Sequence, residues 1–360
     1  MSTLLMTGFP GFLGSALLPR LLAKREGVRA VCLVQDKHLE TARARLAELE
    51  SANPHIAGRV DLVVGDITAP GLGIADPGSL GDVREVWHLA AIYDLTVPEA
   101  VARKVNIHGT ENVLAYCWTL PDLQRLQYVS TCYVSGKYDG EFTEEMLEEG
   151  QSFNNHYEST KYEAEVLVRA AMADGLPATI YRPGVVVGDS TTGETQKYDG
   201  PYFVADYIGR LPAAAFLPDV DSSVKASLVP RDFVVSAMDE LSVLDRSLGK
   251  TYQLTDPNPP SAREVAQIFA DLMHKKAIFL PAVKPSLLRT LLVTVPGMEQ
   301  LTGLPGELLD YFGFTTTYAT TNTTTDLEGT GLTCPAFADY AGTLLEFMHA
   351  HPEIDSKPMV

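Results

Sequence analysis

The sequence predicts an α/β fold in which a doubly wound parallel sheet is joined to a smaller, mixed C-terminal domain. Short apolar runs of strand type alternate with helical patterns over residues 1–190, and a glycine-rich turn follows the first run. Beyond that point the alternation loosens and proline becomes frequent. Because 360 residues exceed one typical domain, we expect two parts. Residues 1–190 and 226–254 form the sheet domain, residues 191–225 and 255–350 form the second part, and residues 351–360 form a tail.

Composition excludes several classes of partner. Lys and Arg total 28 against 46 Asp and Glu, a formal charge of −18, which repels nucleic acid and anionic membrane surfaces. Cys32, Cys117, Cys132 and Cys334 lack the spacing of a metal site or a secreted disulfide framework, so we expect free structural thiols and a cytoplasmic location. The longest apolar run, residues 286–295, is far shorter than the roughly 20 residues that span a bilayer. No transmembrane segment and no export signal are therefore expected.

A strand, a glycine turn and a helix follow one another at the start of the chain. Ser2 to Thr7 has a buried-strand pattern, and a helical run extends through Lys24. In a Rossmann-type fold such glycines allow a tight turn, let the backbone approach a pyrophosphate and let the helix pack on the strand. The residues expected to hold a dinucleotide here are Gly8, Phe9, Pro10, Gly11, Phe12, Leu13 and Gly14.

The second strand, Arg29 to Val34, ends where a doubly wound fold binds the adenosine ribose. At this point an acid favours a free 2′-hydroxyl, and a cation favours a 2′-phosphate. Asp36 therefore indicates NAD, whereas Lys37 and Arg45 indicate NADP if, with Arg43, they gather on the phosphate rather than lie solvated. The residues expected to contact the adenosine end are Gln35, Asp36, Lys37 and Arg45.

The third and fourth strands supply further cofactor contacts. Val60 to Val64 is a strand pattern, and Asp66 and Ile67 follow at its carboxyl end, beside the expected adenine. Val83 to Leu89 is the next strand pattern, and it ends in small residues that let the backbone lie against a cofactor. The contacts expected from this strand end are Leu89, Ala90 and Ala91.

Two polar residues near the fourth strand are expected to be buried. His88 reads as a packed residue at the end of the strand rather than as a ligand. Asn106 lies at or within the next helix and faces the sheet, so its amide needs hydrogen-bond partners.

The residues with the clearest chemistry follow the fifth strand, Leu126 to Ser130. Thr131 lies at the carboxyl end of this strand, where open α/β sheets bind their ligands. Tyr157 and Lys161 stand four residues apart at the front of one long helix, so both side chains share a helical face. An ammonium near a phenol favours the phenolate, which makes the pair an acid/base group; the alternative is a solvated helix face. The acidic stretch Glu141 to Glu149 is expected to be a solvated loop or a lid.

The sixth strand, Ala178 to Tyr181, closes the expected crevice. It runs into a turn and a further apolar run, and the cofactor contacts expected there are Ser130, Pro183, Gly184, Val185 and Val186. Residues 190–221 read as an insertion over the crevice, and Leu228 to Leu244 returns to a strand-then-helix pattern.

Taken together, these residues resemble the extended short-chain dehydrogenase/reductase family. The agreement covers about the first 190 residues, in the family's order and spacing. The matching pieces are Thr7 to Gly14, Asp66, His88-Leu89-Ala90-Ala91, Asn106, Thr131, Tyr157 to Lys161, and Arg182-Pro183-Gly184.

Within that family the chain looks most like the subgroup of thioester reductase domains and fatty acyl-CoA reductases, with their male sterility-type NAD-binding part. The last hundred residues match only loosely. The resembling pieces are Cys32-Leu33-Val34, Phe153 to Tyr157, Tyr181 to Gly193 and Val229 to Val234.

The resemblance implies a catalytic set and a cofactor. Tyr157 would be the proton donor, Lys161 would lower its pKa and hold the nicotinamide ribose, Thr131 would bind the substrate oxygen, and Asn106 would support a proton relay. The resemblance also implies NADPH, with NADH as the alternative. One departure weakens the inference, because the subgroup has Arg where this chain has Gln35. No metal is required for this chemistry.

Three functions remain open. The first is NAD(P)H-dependent reduction of an acyl thioester, carried by CoA or an acyl carrier protein, to an aldehyde, with an alcohol from a second hydride. The second is an NAD(P)-dependent dehydrogenase, reductase or epimerase that acts on a secondary alcohol or ketone of a sugar nucleotide, sterol or similar small molecule. The third is a cofactor-sensing protein without catalysis. The fold cannot decide among them, and the oligomeric state is expected to be a monomer or a homodimer.

The second part is expected to bind the substrate. Residues 190–225 and 255–345 are rich in aromatic and aliphatic side chains, which suit an acyl chain better than a diphosphate. The alternative is that these side chains form the core of the second domain. The residues concerned are Phe203, Tyr207, Ile208, Phe216, Leu217, residues 278–280 and residues 287–295.

Overall fold

The computed structural model describes residues 2–93, 97–280 and 315–354. Apolar runs bounded by glycine, proline or polar residues form its strands. The strands are β1 (Ser2–Thr7), β2 (Val28–Val34), β3 (Val60–Val64), β4 (Val83–His88), β5 (Arg125–Val129), β6 (Glu141–Phe142), β7 (Ala178–Pro183), β8 (Val185–Val187), β9 (Ala214–Pro218), β10 (Leu228–Pro230), β11 (Thr251–Leu254), β12 (Lys276–Leu280) and β13 (Thr317–Tyr318).

Helices connect most of these strands. The helices are α1 (Phe12–Lys24), α2 (Leu39–Ala52), α3 (Glu99–Ala102), α4 (Gly109–Cys117), α5 (His156–Ala173), α6 (Pro201–Arg210), α7 (Arg231–Ser242), α8 (Ala262–Leu272), α9 (Thr321–Leu327) and α10 (Phe337–Ala350). A π-helical turn, Arg103–His108, lies between α3 and α4.

Seven strands form one sheet in the order β11-β7-β5-β4-β1-β2-β3. Every neighbouring pair among them is parallel. The strand order reverses beside β1, so the crevice for a ligand opens where β1 and β4 diverge. The predicted α/β class with a doubly wound parallel sheet is confirmed.

Both faces of the sheet are buried, because the side chains of each strand alternate between two cores. Leu4 and Met6 of β1 pack on one face with α1, α2 and α7, whereas Leu5 packs on the other face with α4 and α5. The helix α5, which begins beside the expected catalytic pair, is thereby fixed against β5 and β7.

A separate apolar core lies among α6, α8, α10, β9 and β12. Ile208 and Leu217, two of the residues expected to line an acyl pocket, are buried in this core beside Phe269. Phe216 is 54% exposed. For Ile208 and Leu217 the alternative interpretation, a domain core, therefore applies. Residues 287–295 lie outside the described residues.

The C-terminal part of the chain returns to the edge of the main sheet. β13 pairs with β6, and α9 packs against β11. Glu144, expected in a solvated loop or lid, is instead 1% exposed and accepts backbone hydrogen bonds from Gln253, Asn322 and Thr323. The expectation for this position was wrong because the donors come from distant segments that no local pattern reveals.

None of the described helices combines the length and the apolar character needed to cross a bilayer. Cys32, Cys117 and Cys132 are buried free thiols, and Cys334 is a half-buried one.

Candidate active site

The glycine turn between β1 and α1 is packed tightly against itself and against the end of β4. Gly8 has a φ of +89°, and a Cβ atom there would lie 2.9 Å from the amide nitrogen of Ala90. Cβ atoms on Gly11 and Gly14 would lie 2.8 and 2.7 Å from the carbonyl oxygen of Gly8. Only glycine therefore fits these three positions without a shift of the backbone.

The turn places the first backbone amides of α1 at the crevice. Gly11 is the residue before the first turn of α1; no described side chain caps this end, and that turn holds no acidic residue. Free N–H groups and the positive end of the helix dipole suit an anion such as a pyrophosphate. The predicted dinucleotide turn thus fits the group it was expected to hold.

A chain of hydrogen bonds runs from the glycine turn to the helix after β4. The amide of Ala90 donates to Thr7 Oγ1 (3.1 Å), and Thr7 Oγ1 lies 2.9 Å from His88 Nδ1. His88 Nε2 lies 3.1 Å from Thr110 Oγ1, which donates to the carbonyl of Asn106 (2.7 Å). Burial lowers the pKa of His88 to about 3, so the ring is neutral. Because Thr110 Oγ1 donates its proton to Asn106, it accepts from His88, which assigns the ring proton to Nε2. His88 is a packed, hydrogen-bonded residue, as expected.

Asn106 joins two segments around the crevice. It is 2% exposed and lies in the π-helical turn. Its Oδ1 accepts from the amide of Ile92 (2.9 Å), and its Nδ2 donates to Thr160 Oγ1 (3.0 Å). The amide thus has the partners that burial requires, and it ties the segment after β4 to α5.

Tyr157 and Lys161 lie on one buried face of α5. They are 7% and 3% exposed. Lys161 Nζ donates to Tyr128 Oη (3.1 Å) and to the carbonyl of Val129 (2.9 Å), which holds the ammonium at the end of β5. Burial lowers the pKa of Lys161 to about 8, although the charge of Glu165 raises it.

The Thr131 hydroxyl lies close enough to the Tyr157 phenol to act on its pKa, and Thr131 Oγ1 donates to the carbonyl of Pro183 (3.5 Å). Thr131 also accepts from the amide of Tyr133 at the start of a short 3-10 turn (3.3 Å). Burial raises the pKa of Tyr157, and the Thr131 hydroxyl acts in the opposite direction. This direction is contrary to the lowered pKa expected from the sequence, because the phenol is removed from water while the ammonium of Lys161 is turned towards β5.

Three residues beside Tyr157 were not predicted from the sequence. The ring of Tyr93 meets that of Tyr157 edge-on, with centroids 5.0 Å apart. Lys197 Nζ lies 5.0 Å from the Tyr93 ring centroid and 2.9 Å from Asp199 Oδ2. All three belong to irregular segments, and no pattern in the sequence brings residues 93 and 197 together.

The adenosine end of the crevice is built differently. Asp66 accepts from the amide of Thr68 (2.8 Å). Although burial acts to raise the pKa of Asp66, hydrogen bonds from Thr68 and from the Gln35 side chain hold it below its usual value. Asp36 and Lys37 are exposed at the start of the turn before α2. The Gln35 side chain thus helps to keep Asp66, the residue expected beside the adenine, ionised.

The two arginines of α2 are bound to carboxylates. Arg43 pairs with Glu40 (2.6 Å) on the surface. Arg45 pairs with Glu48 (3.0 Å) and lies 3.6 Å from Glu194, which comes from the segment after β8. Arg45 Nε is buried without a hydrogen-bond partner among the described residues.

The remaining predicted contacts lie at strand ends around the same crevice. Leu89, Ala90 and Ala91 are half-buried after β4, and the buried Ile67 accepts from Asn112 through its carbonyl (2.8 Å).

The other rim of the crevice is the end of β7 and the start of β8. Pro183 and Gly184 are buried, and Val185 and Val186 are half-buried. Ser130 Oγ donates a hydrogen bond to the carboxylate of Glu165 (2.6 Å). The structure therefore brings Ser130, Thr131, Tyr157 and Lys161 together and leaves residues 35–45 at the other end.

Comparison with known proteins gives the family. The male sterility protein family matches residues 6–238. A linear gramicidin synthase from Brevibacillus parabrevis is 30% identical over 71% of this chain but only 5% of its own length. Fatty acyl-CoA reductase wat of Drosophila melanogaster is 29% identical over 65% of this chain and 52% of its own length. The chain thus spans only part of these curated relatives.

Solved structures agree with this assignment. The terminal R domain from the myxalamid PKS-NRPS biosynthetic pathway is 28% identical, with a TM-score of 0.80 over 99% of this chain and 93% of that domain. UDP-glucuronic acid 4-epimerase from Bacillus cereus, solved with NAD, has a TM-score of 0.67 at 18% identity over 99% of each chain, which shows the fold alone. The chain belongs to the male sterility protein family, and it is an NAD(P)-dependent oxidoreductase of the extended short-chain dehydrogenase/reductase type.

Proposed function

We propose that this protein reduces an acyl thioester to an aldehyde with a nicotinamide cofactor. The observation that carries the proposal is the placement of the Thr131 and Tyr157 hydroxyls near each other, with the buried ammonium of Lys161 at the carboxyl end of β5. The similarity to a fatty acyl-CoA reductase and to a terminal R domain supports a thioester as the substrate.

The two hydroxyls would bind the carbonyl oxygen of the thioester. A bound nicotinamide cofactor supplies the hydride to the carbonyl carbon. As negative charge develops on the oxygen, Thr131 donates a hydrogen bond and Tyr157 donates its proton. Lys161, held by the Val129 carbonyl, stabilises the phenolate that Tyr157 becomes.

The resulting hemithioacetal then collapses. The phenolate of Tyr157 takes back the hydroxyl proton, the carbon–sulfur bond breaks with its electron pair on sulfur, and the thiolate leaves and is protonated by solvent, with the aldehyde as the other product. A second hydride transfer to the same carbon would give the alcohol through the same two hydroxyls.

We propose NADPH as the preferred cofactor. Lys37 is exposed beside the expected ribose, and the Arg45 side chain on α2 is 24% exposed. A phosphate accepts charge-assisted hydrogen bonds from such groups. Asp36 is the residue that would favour NADH instead.

We further propose that the residues outside the main sheet bind the acyl chain and its carrier. Residues 191–225 and 255–350 are assigned to this part, and residues 1–190 and 226–254 to the cofactor domain. Because R domains and a thiolation-reductase di-domain are among the similar structures, an acyl carrier protein is a proposed partner beside CoA.

One experiment separates the candidates. The protein is incubated with NADPH or NADH and a series of acyl-CoA and carrier-bound acyl thioesters; oxidation is followed at 340 nm and the products are identified. Aldehyde formation that depends on Tyr157 supports the proposal. Turnover confined to sugar nucleotides or secondary alcohols contradicts it and favours the dehydrogenase or epimerase alternative.

A further inference from the structure

A third titratable group, Glu165, shares the catalytic face of α5 with Tyr157 and Lys161. Tyr157, Lys161 and Glu165 follow one another at intervals of four residues, which places all three along one side of the helix. Glu165 is 0% exposed. A carboxylate in such a place needs several partners, since an unpaired buried charge is very costly.

The carboxylate of Glu165 is held from two sides. Its Oε2 accepts from Ser130 Oγ (2.6 Å), the residue directly before Thr131. Its Oε1 accepts from Arg182 Nη2 (2.6 Å) and from Arg169 Nε (3.1 Å). The carboxylate therefore connects the end of β5 to the end of β7.

Arg182 is itself fully buried and has little freedom to move. Its Nη2 also donates to the carbonyl of Met146 (2.8 Å), and its guanidinium lies over the ring of Phe142 at 5.4 Å. Although burial acts to raise the pKa of Glu165, the charge of Arg182 and its hydrogen bonds hold that pKa below the usual value. Glu165 is accordingly an anion at neutral pH.

The negative charge of Glu165 affects the protonation of Lys161. The titratable groups that face its ammonium are Tyr128 from β5, the neutral His88 from β4 and Glu165 from its own helix. Of these, Glu165 is negatively charged and acts to raise the pKa of Lys161 against the effect of burial.

We propose that Glu165 is a positioning residue of the active site, which keeps Lys161 in its ammonium form and fixes Ser130 and Thr131 beneath Tyr157. This inference rests on the proposed roles of Lys161 and Thr131. Without the carboxylate, three cations would share one buried region, and Lys161 is the one able to lose its proton, because the two arginines remain protonated.

The test is the pH dependence of two quantities, kcat/KM and the Kd for the cofactor measured by fluorescence titration. In the native protein kcat/KM should fall and the Kd should rise as the pH rises through about 8, where Lys161 loses its proton. This change is the high-pH limb of each profile. In Glu165→Gln this limb should move down by about one to two pH units, as expected for loss of an opposite charge at the roughly 6 Å spacing of residues four apart on a helix and an effective dielectric constant of about 20.

A matched control removes a carboxylate from the other side of the same helix. Glu163 pairs with Arg103 at the surface (2.8 Å), so Glu163→Gln should leave the limb in place. Glu165→Asp should restore most of the native profile, because it keeps the charge.

A second variant covers the case in which Glu165→Gln does not fold. Arg169→Gln removes a cation that contacts Glu165, so the limb should move to higher pH, the opposite sign. A uniform loss at every pH with the limb unmoved in both variants would overturn the proposal and leave Glu165 a purely structural residue. Cofactor titration needs no substrate, so this result is independent of whether an acyl thioester is the substrate.

Discussion

The two ends of the crevice are built in different ways. At the catalytic end, Thr131, Tyr157, Lys161 and Asn106 are all less than 8% exposed; Lys161 is hydrogen-bonded to the end of β5, and Asn106 to the segment after β4 and to α5. At the adenosine end, Asp36 and Lys37 are exposed, and the arginines of α2 are paired with carboxylates.

This difference shows which end is already organised for its ligand. The two hydroxyls of the proposed mechanism, those of Thr131 and Tyr157, are held in the protein interior before a substrate binds, and such preorganisation favours transition-state stabilisation. A 2′-phosphate, in contrast, would have to compete with Glu48 and Glu194 for Arg45. Substitutions at the catalytic end should therefore change turnover strongly, and those at the adenosine end should change cofactor choice modestly.

The largest effect is expected for Tyr157→Phe. Loss of the phenolic proton should lower kcat by about 10²- to 10⁴-fold, whereas the cofactor Kd should stay close to the native value. The measurement is steady-state turnover beside fluorescence titration. The control is Tyr162→Phe, which removes a phenol from the same helix where it packs on Phe153. Near-native turnover of Tyr157→Phe would disprove the proposed acid.

The glycine turn connects the two ends, and Gly11→Val should weaken binding of either cofactor. The added Cβ meets the carbonyl oxygen of Gly8 at 2.8 Å, so the turn itself must shift before any phosphate is crowded. An overpacking cost of about 1–3 kcal/mol corresponds to roughly 5- to 150-fold weaker binding. Gly209→Val is the control, since a Cβ there meets nothing within 4 Å among the described residues. Equal affinity of folded Gly11→Val and the native protein would contradict this.

The catalytic end could be predicted from the sequence because its signals are local. The spacing of Tyr157 and Lys161 on a helix, and a hydroxyl directly after a strand, follow from helical periodicity and from the ligand-binding edge of parallel sheets. The same holds for the glycine turn, since Gly8, Gly11 and Gly14 stand in one short segment.

The rest depended on tertiary contacts that no local pattern contains. Tyr93 meets Lys197, and Glu144 meets the returning C-terminal segment, only after the chain has folded. β11 is a four-residue strand, too short for a periodic signal, yet it is the seventh strand of the sheet. The direction of the Tyr157 pKa was mistaken for the same reason, because burial outweighs sequence proximity to Lys161.

A third prediction concerns how the catalytic end is held together. Asn106→Ala should leave the amide of Ile92 without its acceptor and remove the hydrogen bond that the Thr160 hydroxyl accepts. Such a loss costs about 1–3 kcal/mol, so kcat should fall roughly 5- to 150-fold without a change in cofactor preference. The control is Asn112→Ala, whose amide donates to the carbonyl of Ile67 on the adenosine side. If kcat is unchanged in Asn106→Ala and its thermal stability is native, the amide does not organise the site.

The smallest effect is expected at the adenosine end, where Arg45→Gln should change cofactor choice. A charge-assisted contact with phosphate is worth about 1.5–3 kcal/mol, but Glu194 competes for the same guanidinium, so we expect the ratio of kcat/KM for NADPH to that for NADH to fall by about tenfold or less. Arg43→Gln, on the same helix but paired with Glu40 at the surface, should change the ratio less. An unchanged ratio in Arg45→Gln would mean that Arg45 is held by its carboxylates in the bound state too. A native preference for NADH would instead identify Asp36 as the ribose ligand and make the two ends alike in needing no rearrangement.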